Sequence, residues 1–261
     1  MKVQSLFIYP VKSLAGIQVP AFELDDFGPS GDRRWMIVDE QGQFVTQRTL
    51  PRLALITTEL AGHVAKITIP GEGTFALEPG SATFQVRVWR DDVAASPGQE
   101  QVDSALSRFC AQPLRLVYMP DSTYRRVDPE RLADSRRVGF ADGFPLLVVN
   151  QSSLDELNGR LERPVDIRRF RPNIVVSGAE PWAEDDWRSL QAGEVGFQVV
   201  KPCSRCVLTT VDPDTGVKDS GTQPLKTLST YRRTPEGVIF GQNAVHQRKG
   251  RVAVGDRVVI Y

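Results

Sequence analysis

Two cysteines that stand three positions apart, Cys203 and Cys206, offer this chain its widest range of chemistry. The Cys-x-x-Cys pattern is compatible with half of a zinc site, with a thioredoxin-like redox pair, and with two small buried apolar side chains. One cysteine could instead be a thiolate, acting as a nucleophile or a metal ligand, because the neighbouring Arg205 and Lys201 favour the charged sulfur. A soft thiolate suits a transition metal rather than a hard cation.

Two of these interpretations find little support elsewhere in the sequence. A structural zinc ion needs about four ligands, but besides the pair only Cys110 and two histidines remain, and none is spaced as a matching pair. A thioredoxin-like motif opens a helix, whereas the run 207–210 after the pair predicts a strand. The apolar and the thiolate interpretations both stay open.

Residues that bind anions lie beside several predicted strands. Lys12 and Ser13 follow the apolar run 3–9, where an ammonium, a hydroxyl and free backbone N–H groups can hold an anion together. Arg33 precedes the strand predicted over 35–38, and a guanidinium can fork onto a phosphate or a carboxylate. Each feature also has an ordinary structural explanation, namely a solvated strand end and a salt bridge to a neighbouring acid.

A second group of polar residues accompanies strands of the C-terminal half. Arg171 and Asn173 bracket a proline just before an apolar run, so at least one of them is expected to point at the end of the sheet. Asn243 follows Gly241, which permits either a close backbone approach or a simple bulge. Together with the cysteine pair, these side chains would suit an anionic cofactor that is held by phosphate contacts and metallated through sulfur.

Short strands separated by turn signals dominate the predicted elements, with few helices among them. Helices are predicted near 100–110, from 153 onwards and over 225–231. The pattern indicates a β-barrel or sandwich with accessory helices. The polar, aperiodic stretch 121–134 is expected to connect two halves, which gives predicted domains of residues 1–121 and 122–261.

Two local features are specific enough to compare directly with a structure. Ser153 and Glu156 match a capping box, in which each side chain satisfies a backbone group at the start of a helix. The runs 53–60 and 63–69 are separated by an alanine and a glycine, and this arrangement predicts a hairpin.

The composition excludes several classes of protein. Of the 261 residues, 41% are hydrophobic and 25% are charged, which favours a buried core over disorder. Lys plus Arg and Asp plus Glu both number 32, and the resulting net charge of zero argues against general nucleic-acid binding. No apolar run reaches the roughly 18 residues of a membrane helix. Since no secretory signal or disulfide framework is evident either, a cytoplasmic protein that binds no membrane is expected.

Longer segments resemble the MOSC-domain family, in the branch with an N-terminal MOSC β-barrel domain that includes the mitochondrial amidoxime-reducing component and its bacterial relatives. The resemblance covers nearly the whole chain and rests on the segments 9–13, 32–35, 46–48, 170–175, 203–216 and 240–242. The stretch 203–216 is the longest and most specific. The implied fold is α+β and β-dominated, with a MOSC-type β-barrel and accessory helices in residues 122–261 after an N-terminal β-rich domain in residues 1–121.

The resemblance also implies a molybdenum cofactor, in which the metal is bound by two sulfurs of a molybdopterin and by one protein cysteine. Matching by motif, that cysteine is Cys206, which would be both the metal ligand and the catalytic residue. Cys203 is expected to pack beside it. The remaining positions that match the family's pterin or phosphate contacts, or lie in matching segments, are Lys12, Ser13, Arg33, Asp142, Arg171, Asn173, Ser204, Arg205 and Asn243.

The implied activity is the reduction of N-hydroxylated compounds such as amidoximes and hydroxylamines, in which two electrons break the N–O bond and the oxygen leaves as water. A [2Fe–2S] cluster needs about four protein ligands, and the sequence has three cysteines. A separate electron donor of ferredoxin or cytochrome type, with its reductase, is therefore expected. Two other functions stay open, namely transfer of sulfur to the cofactor through a cysteine, and carriage of the cofactor without catalysis.

Overall fold

The computed structural model describes residues 1–62 and 64–261. β-Strands are the most abundant regular elements of the described chain, and they pair into several sheets that are accompanied by three α-helices. The predicted β-dominated α+β class is therefore confirmed.

The helices are short and lie beside the sheets. They are α1 (Glu100–Cys110), α2 (Gln151–Arg160) and α3 (Leu225–Tyr231). The helices predicted at 100–110 and 225–231 are thus confirmed, because the spacing of their apolar residues reflects one buried face. Among the described residues, we find no helix with the length and apolar character that crossing a membrane requires.

The strands are mostly short and alternate with turns. In chain order they are β1 (Lys2–Ile8), β2 (Ile17–Val19), β3 (Ala21–Asp25), β4 (Gly28–Pro29), β5 (Trp35–Val38), β6 (Thr57–Ala61), β7 (Val64–Ile69), β8 (Gly73–Ala76), β9 (Phe84–Val88), β10 (Asp91–Pro97), β11 (Arg115–Tyr118), β12 (Leu146–Asn150), β13 (Ile174–Ser177), β14 (Ser189–Ala192), β15 (Val195–Ser204), β16 (Arg233–Thr234), β17 (Gly237–His246), β18 (Gly250–Ala253) and β19 (Val258–Ile260).

The largest sheet has nine strands and draws on both ends of the chain. Its order is β19-β14-β15-β17-β12-β13-β1-β2, with β16 paired to β17. β12 and β13 run parallel and are joined through α2, as a parallel connection requires. Smaller sheets have the orders β5-β11-β10-β9, β18-β3-β4 and β6-β7-β8. The N-terminal strands β1 and β2 therefore extend a sheet whose other members come from residues 146–260.

Several apolar clusters support these sheets, and the two largest involve the large sheet and α1. Leu6 and Phe197 are fully buried in the core that packs against the large sheet. Ile67 and Leu106 are fully buried in a second core, where α1 packs near β7 and β11. Burying each such side chain stabilises the fold by about 1.5–3 kcal/mol, so the strand ends above these cores are firmly anchored.

The pairing of β15 with β17 is irregular next to the cysteine pair. Pro202 pairs with Gln242 but Ser204 pairs with Ile239, so β17 has one more residue than its partner over this interval. Gly241 lies in the extra segment with φ of +75°, which identifies a β-bulge. The sequence allowed either a close backbone approach or a bulge at Gly241, and the structure contains the bulge.

Two local predictions are wrong. Residues 207–210 form a 3₁₀ turn instead of a strand, because the hydroxyls of Thr209 and Thr210 bond back to carbonyl groups three residues earlier. The capping box is also absent from the start of α2, which begins at Gln151 and is capped by the side chain of Asn150. Ser153 instead donates to Glu184 Oε2 at 2.7 Å.

The predicted hairpin is only partly as expected. The strands β6 and β7 pair antiparallel. Pro51 begins a 3₁₀ turn that extends to Leu55, so the first strand starts at Thr57 and not at residue 53. The second strand is described from Val64, and its predicted first residue, His63, lies outside the described residues.

Candidate functional site

All ten predicted site residues line one open cleft, although they come from six separate stretches of chain. They are Lys12, Ser13, Arg33, Asp142, Arg171, Asn173, Ser204, Arg205, Cys206 and Asn243. The cleft contains about 740 Å³ of empty space, including open solvent at its mouth. Which molecule each residue binds stays a prediction.

The large sheet brings these residues together. The strands β15, β17, β12, β13 and β1 are successive neighbours, and most candidate residues lie on them or in the loops next to them, whereas Arg33 precedes β5 of a smaller sheet. Lys12 follows β1, Asn173 precedes β13, Asn243 lies in β17 and Cys206 follows β15. Apolar side chains such as Phe170 complete the wall between the charged groups.

Three cleft residues have backbone conformations that are unusual for their type. The φ angle is +68° at Ser13, +48° at Arg33 and +57° at Arg171, within the left-handed region. Each such residue costs on the order of 1 kcal/mol, so the surrounding contacts must hold it in place. Backbone strain of this kind concentrates at functional sites, where it directs side chains that a relaxed backbone would not.

Arg33 is fixed by a buried polar network. Its Nη1 donates to Asp32 Oδ2 at 2.5 Å and to Asn173 Oδ1 at 3.1 Å, and its Nη2 donates to the carbonyl of Arg171 at 3.3 Å. The amide of Asn173 also donates to Asp32 Oδ1 and to the carbonyl of Phe7, both at 3.2 Å. Because Asn173 is fully buried and bonded on all sides, its evident structural contribution is to orient Arg33.

Arg171 has an unused donor inside the protein. Its guanidinium lies 4.2 Å from the centre of the Tyr9 ring, and Nη1 donates to the carbonyl of Leu14 at 2.7 Å. Its Nη2 is buried without a hydrogen-bond partner among the described residues. Burial, aided by repulsion from Arg33, lowers the pKa of Arg171 to about 10, so the group is charged at neutral pH. A buried charged donor without an acceptor is costly, and an anionic ligand in the cleft would remove that cost.

Lys12 and Asp142 form an ion pair at one side of the cleft. The Nζ of Lys12 donates to Asp142 Oδ1 and, at 2.7 Å, to the carbonyl of Phe140. Burial lowers the pKa of Lys12 to about 8, against the opposing attraction of Asp142. Loss of hydration raises the pKa of Asp142, but attraction to Lys12 and Arg48 outweighs it and holds that pKa well below its usual range.

The two cysteines have different surroundings. Cys206 is exposed in the cleft, and its Sγ lies 4.0 Å from Nη1 of Arg48. Cys203 is partly buried against the apolar cluster around Phe240, as expected, and its Sγ accepts from Nη1 of Arg205 at 2.8 Å. The Nε of Arg205 is buried without a partner in the described chain. Of the two sulfurs, that of Cys206 is the more accessible to a ligand in the cleft.

Ser204 and Asn243 also use their side chains to brace the cysteine loop. The hydroxyl of Ser204 donates to the carbonyl of Glu236 at 2.8 Å, and the amide of Asn243 donates to the carbonyl of Pro202 at 3.3 Å. Both residues still line the cleft. Their contacts within the protein would keep the loop in place when the cleft is empty.

Three residues that border the site were not among the predicted site residues. Arg48 lies 3.9 Å from Asp142 Oδ2, as measured from its Nη1, and its guanidinium lies 4.4 Å from the centre of the Trp89 ring. The indole N–H of Trp89 donates to Asp142 Oδ1 at 3.1 Å, and Phe44 packs against that indole. Arg48 stands in the resembling segment 46–48, so a signal was present for it, whereas nothing in the sequence indicated Trp89 or Phe44.

Comparison with known proteins gives matches over most of the chain. Residues 1–113 match the MOSC N-terminal beta barrel domain, and residues 135–259 match the MOSC domain. The human protein mitochondrial amidoxime-reducing component 1 is 36% identical over 99% of this chain and 82% of its own length. The chain belongs to the MOSC family. The resemblance inferred from the motifs is thereby confirmed.

Other relatives of this MOSC protein differ in their length. The rat protein mitochondrial amidoxime reducing component 2 is 36% identical over 98% of this chain and 82% of its own length. The rice protein molybdenum cofactor sulfurase is 29% identical over 92% of this chain, but the match spans only 32% of that protein. The match to the rat protein spans most of both chains, whereas the match to the rice protein lies within a much longer chain.

Proposed function

We propose that this MOSC protein is a molybdenum-cofactor-dependent reductase of N-hydroxylated compounds. The observation that carries the proposal is a cleft in which four cations, two of them with a buried donor that has no partner in the described chain, lie around an exposed thiol. Lys12, Arg33, Arg171 and Arg205 line it against one carboxylate, Asp142, among the described lining residues. This excess of positive charge favours an anionic ligand. The exposed thiol favours a ligand that carries a metal to which sulfur can bind.

The residues present fit a metallated pterin phosphate. The buried Nη2 of Arg171 and Nε of Arg205 have no partner in the described part of the protein, so a phosphate or pterin oxygen would satisfy donors that are otherwise desolvated. Lys12 and Arg33 would add charge without moving, because existing hydrogen bonds already hold them. The exposed thiol of Cys206 would supply a soft ligand suited to molybdenum.

When bound, the cofactor would supply two-electron reduction of the substrate N–O bond. The protein's own contribution would be to hold the anion, to present the sulfur of Cys206, and to leave an open mouth through which a small substrate enters. We also propose that electrons come from a separate ferredoxin- or cytochrome-type protein. The names of the amidoxime-reducing relatives support the choice of substrate class.

The proposal is tested by metal and pterin analysis of the purified protein, combined with reduction of benzamidoxime by a chemical electron donor. We expect about one molybdenum per chain, and loss of both metal and activity in Cys206→Ala. The exposed position of Cys206 means that this variant should keep its thermal stability. Cys203→Ala is the matched control and should retain metal. Full reductase activity in Cys206→Ala would disprove the ligand assignment.

Sulfur transfer is the second candidate, favoured by the match to molybdenum cofactor sulfurase. Purified protein that carries sulfane sulfur on a cysteine, passes it to an acceptor and reduces no N-hydroxylated compound would support this alternative over the reductase.

A further inference from the structure

The turn between β9 and β10 contains a tryptophan whose backbone conformation and exposure are both unusual for that residue type. Val88 pairs with Asp91, which leaves a two-residue turn formed by Trp89 and Arg90. The φ angle of Trp89 is +57°, in a turn position that glycine, asparagine or aspartate usually occupies. Trp89 is also 45% exposed. A strained backbone that displays a large aromatic surface to solvent indicates a role outside the core.

The contacts of Trp89 connect it to the cleft. Its Nε1 donates to Asp142 Oδ1 at 3.1 Å. The Phe44 ring packs on it with centroids 5.2 Å apart, and the guanidinium of Arg48 lies 4.4 Å from its ring centre. We call Phe44, Arg48 and Trp89 the aromatic rim. Because Arg48 is also 4.0 Å from the sulfur of Cys206, the aromatic rim borders the thiol directly.

The aromatic rim has the features of a stacking surface. An indole that is held in place by an N–H bond, a guanidinium and a second ring loses little freedom when a ligand binds. The exposed remainder of the Trp89 ring can therefore accept a flat group, and stacking on aromatic side chains depends on the π-face of the ligand. Asp142 and Cys206 both lie next to this surface, Asp142 through Trp89 and Cys206 through Arg48, and both also line the cleft.

We propose that the aromatic rim recognises the substrate, and that Trp89 selects N-hydroxylated substrates whose N-hydroxylated group is carried by a planar aromatic or heteroaromatic ring. This inference deepens the proposed function and rests on it for the reacting N–O group. It predicts that discrimination resides in substrate binding by a turn of the N-terminal half, outside the set of residues assigned to the cofactor.

The test compares benzamidoxime with cyclohexanecarboxamidoxime, which has a similar size and apolar character but no flat ring. Titration calorimetry on the purified molybdenum-loaded protein without any reductant measures binding while no turnover occurs. We expect benzamidoxime to bind about tenfold more tightly, the size of one stacking interaction. The same ratio should appear in kcat/KM when a chemical electron donor is added.

Two substitutions separate stacking from other effects. Trp89→Asn suits the left-handed turn and removes the ring, so the preference for benzamidoxime should fall to within about twofold, while circular dichroism checks the fold. Trp89→Phe keeps a flat surface but loses the N–H bond to Asp142, and should retain most of the preference. An unchanged preference in Trp89→Asn, or no preference in the wild type, would overturn the proposal for the aromatic rim.

These outcomes are distinct from failure of the proposed function. If neither amidoxime is reduced but the binding preference and its loss in Trp89→Asn are observed, the aromatic rim stands as a ligand site and the reductase activity is wrong. If both amidoximes are reduced without discrimination, the reductase stands and the inference about Trp89 is wrong.

Discussion

At the scale of single residues, the candidate site is defined by cations that the protein holds but does not fully neutralise. Arg33 has Asp32 as a partner and Lys12 has Asp142, whereas Arg171 has only carbonyl and ring contacts in the described chain. Buried charges without partners destabilise an empty protein. Binding of an anion would therefore stabilise the folded protein, and retention of that anion can be measured.

Arg171→Ala should release the cofactor while changing the stability of the fold much less. The substitution removes a charged donor that only a ligand can satisfy, so we expect at least a tenfold loss of bound molybdenum and pterin after gel filtration. Arg168→Ala is the matched control, because Arg168 lies in the same segment but pairs with exposed Asp214 at 2.8 Å. Equal metal content in the two variants would contradict this role for Arg171.

The charge of Lys12 makes cofactor retention dependent on pH. Burial lowers its folded-state pKa to about 8, below the ordinary value of 10.5. The cofactor-free protein therefore gains stability as the pH rises above about 8, and this contribution is lost as the pH falls through about 8. Anion binding has the opposite dependence, since only the protonated ammonium attracts the ligand.

We accordingly expect faster loss of cofactor between pH 8 and about pH 10. Pterin fluorescence released from the loaded protein measures the rate across this range. Lys12→Met should retain less cofactor below about pH 8, where the wild-type ammonium is charged, and should show a flatter dependence on pH. A wild-type release rate that does not change with pH would argue against a phosphate contact by Lys12.

At the scale of elements, the bulge in β17 and the 3₁₀ turn over residues 207–210 set the position of the cysteine loop. The backbone N–H of Arg205 donates to the carbonyl of Val238 at 2.7 Å, and Thr209 donates to the carbonyl of Cys206 through both its N–H and its hydroxyl. These contacts anchor the backbone of Cys206 while its side chain stays exposed. A regular strand would alternate these side chains between two faces.

Gly241→Ala should destabilise the protein and displace this loop. A Cβ at that position would lie 2.8 Å from Val149 Cγ2 and 2.9 Å from the carbonyl oxygen of Val148, and its φ of +75° disfavours any other residue. We expect a loss of about 2–4 kcal/mol in urea unfolding, from backbone strain and overpacking together.

Gly159→Ala provides the control for that substitution. Gly159 lies in α2 with no atom within 4 Å of a new Cβ, so alanine should raise the free energy of unfolding by up to about 1 kcal/mol. A similar change in both variants would show that the bulge does not require a glycine.

At the scale of the whole molecule, the site depends on both halves of the chain. β1 lies between β13 and β2 in the large sheet, and Lys12 and Ser13 follow it into the cleft. The aromatic rim also belongs to the first half, whereas Cys206 belongs to the second. The division into domains between residues 121 and 122 stays a prediction. The large sheet and the cleft both contain residues from each side of it.

The fragment 122–261 should therefore fail to fold by itself. Without β1 it would expose the buried side chains of Ile174 and Val176, whose strand pairs with β1. We expect no cooperative thermal transition by circular dichroism. The full chain cut once within the polar stretch 121–134 is the control, and its two pieces should elute together and unfold cooperatively. An isolated fragment 122–261 that unfolds cooperatively would contradict this view.

The sequence by itself determined the periodic elements and the inventory of reactive side chains. The helix predicted near residues 100–110 is α1, because burial of one face leaves a local apolar pattern. The motifs identified Lys12, Arg171 and the other candidates, whose residue types follow from the chemistry of anion and metal binding. Their convergence in one cleft is consistent with that assignment.

The tertiary structure decided what depends on contacts between distant residues. Residues 207–210 favour a strand by composition, yet the hydroxyls of Thr209 and Thr210 bond back to carbonyl groups three residues earlier and the segment forms a turn. Asn173 was expected to contact a cofactor, but its contacts with Arg33 and Asp32 were not visible in any local pattern. Trp89 gave no signal, because its importance comes from a strained turn that meets Asp142 only after the two halves pack together. Local spacing specifies which side of an element is buried, whereas the partners of each side chain follow from the packing of the whole chain.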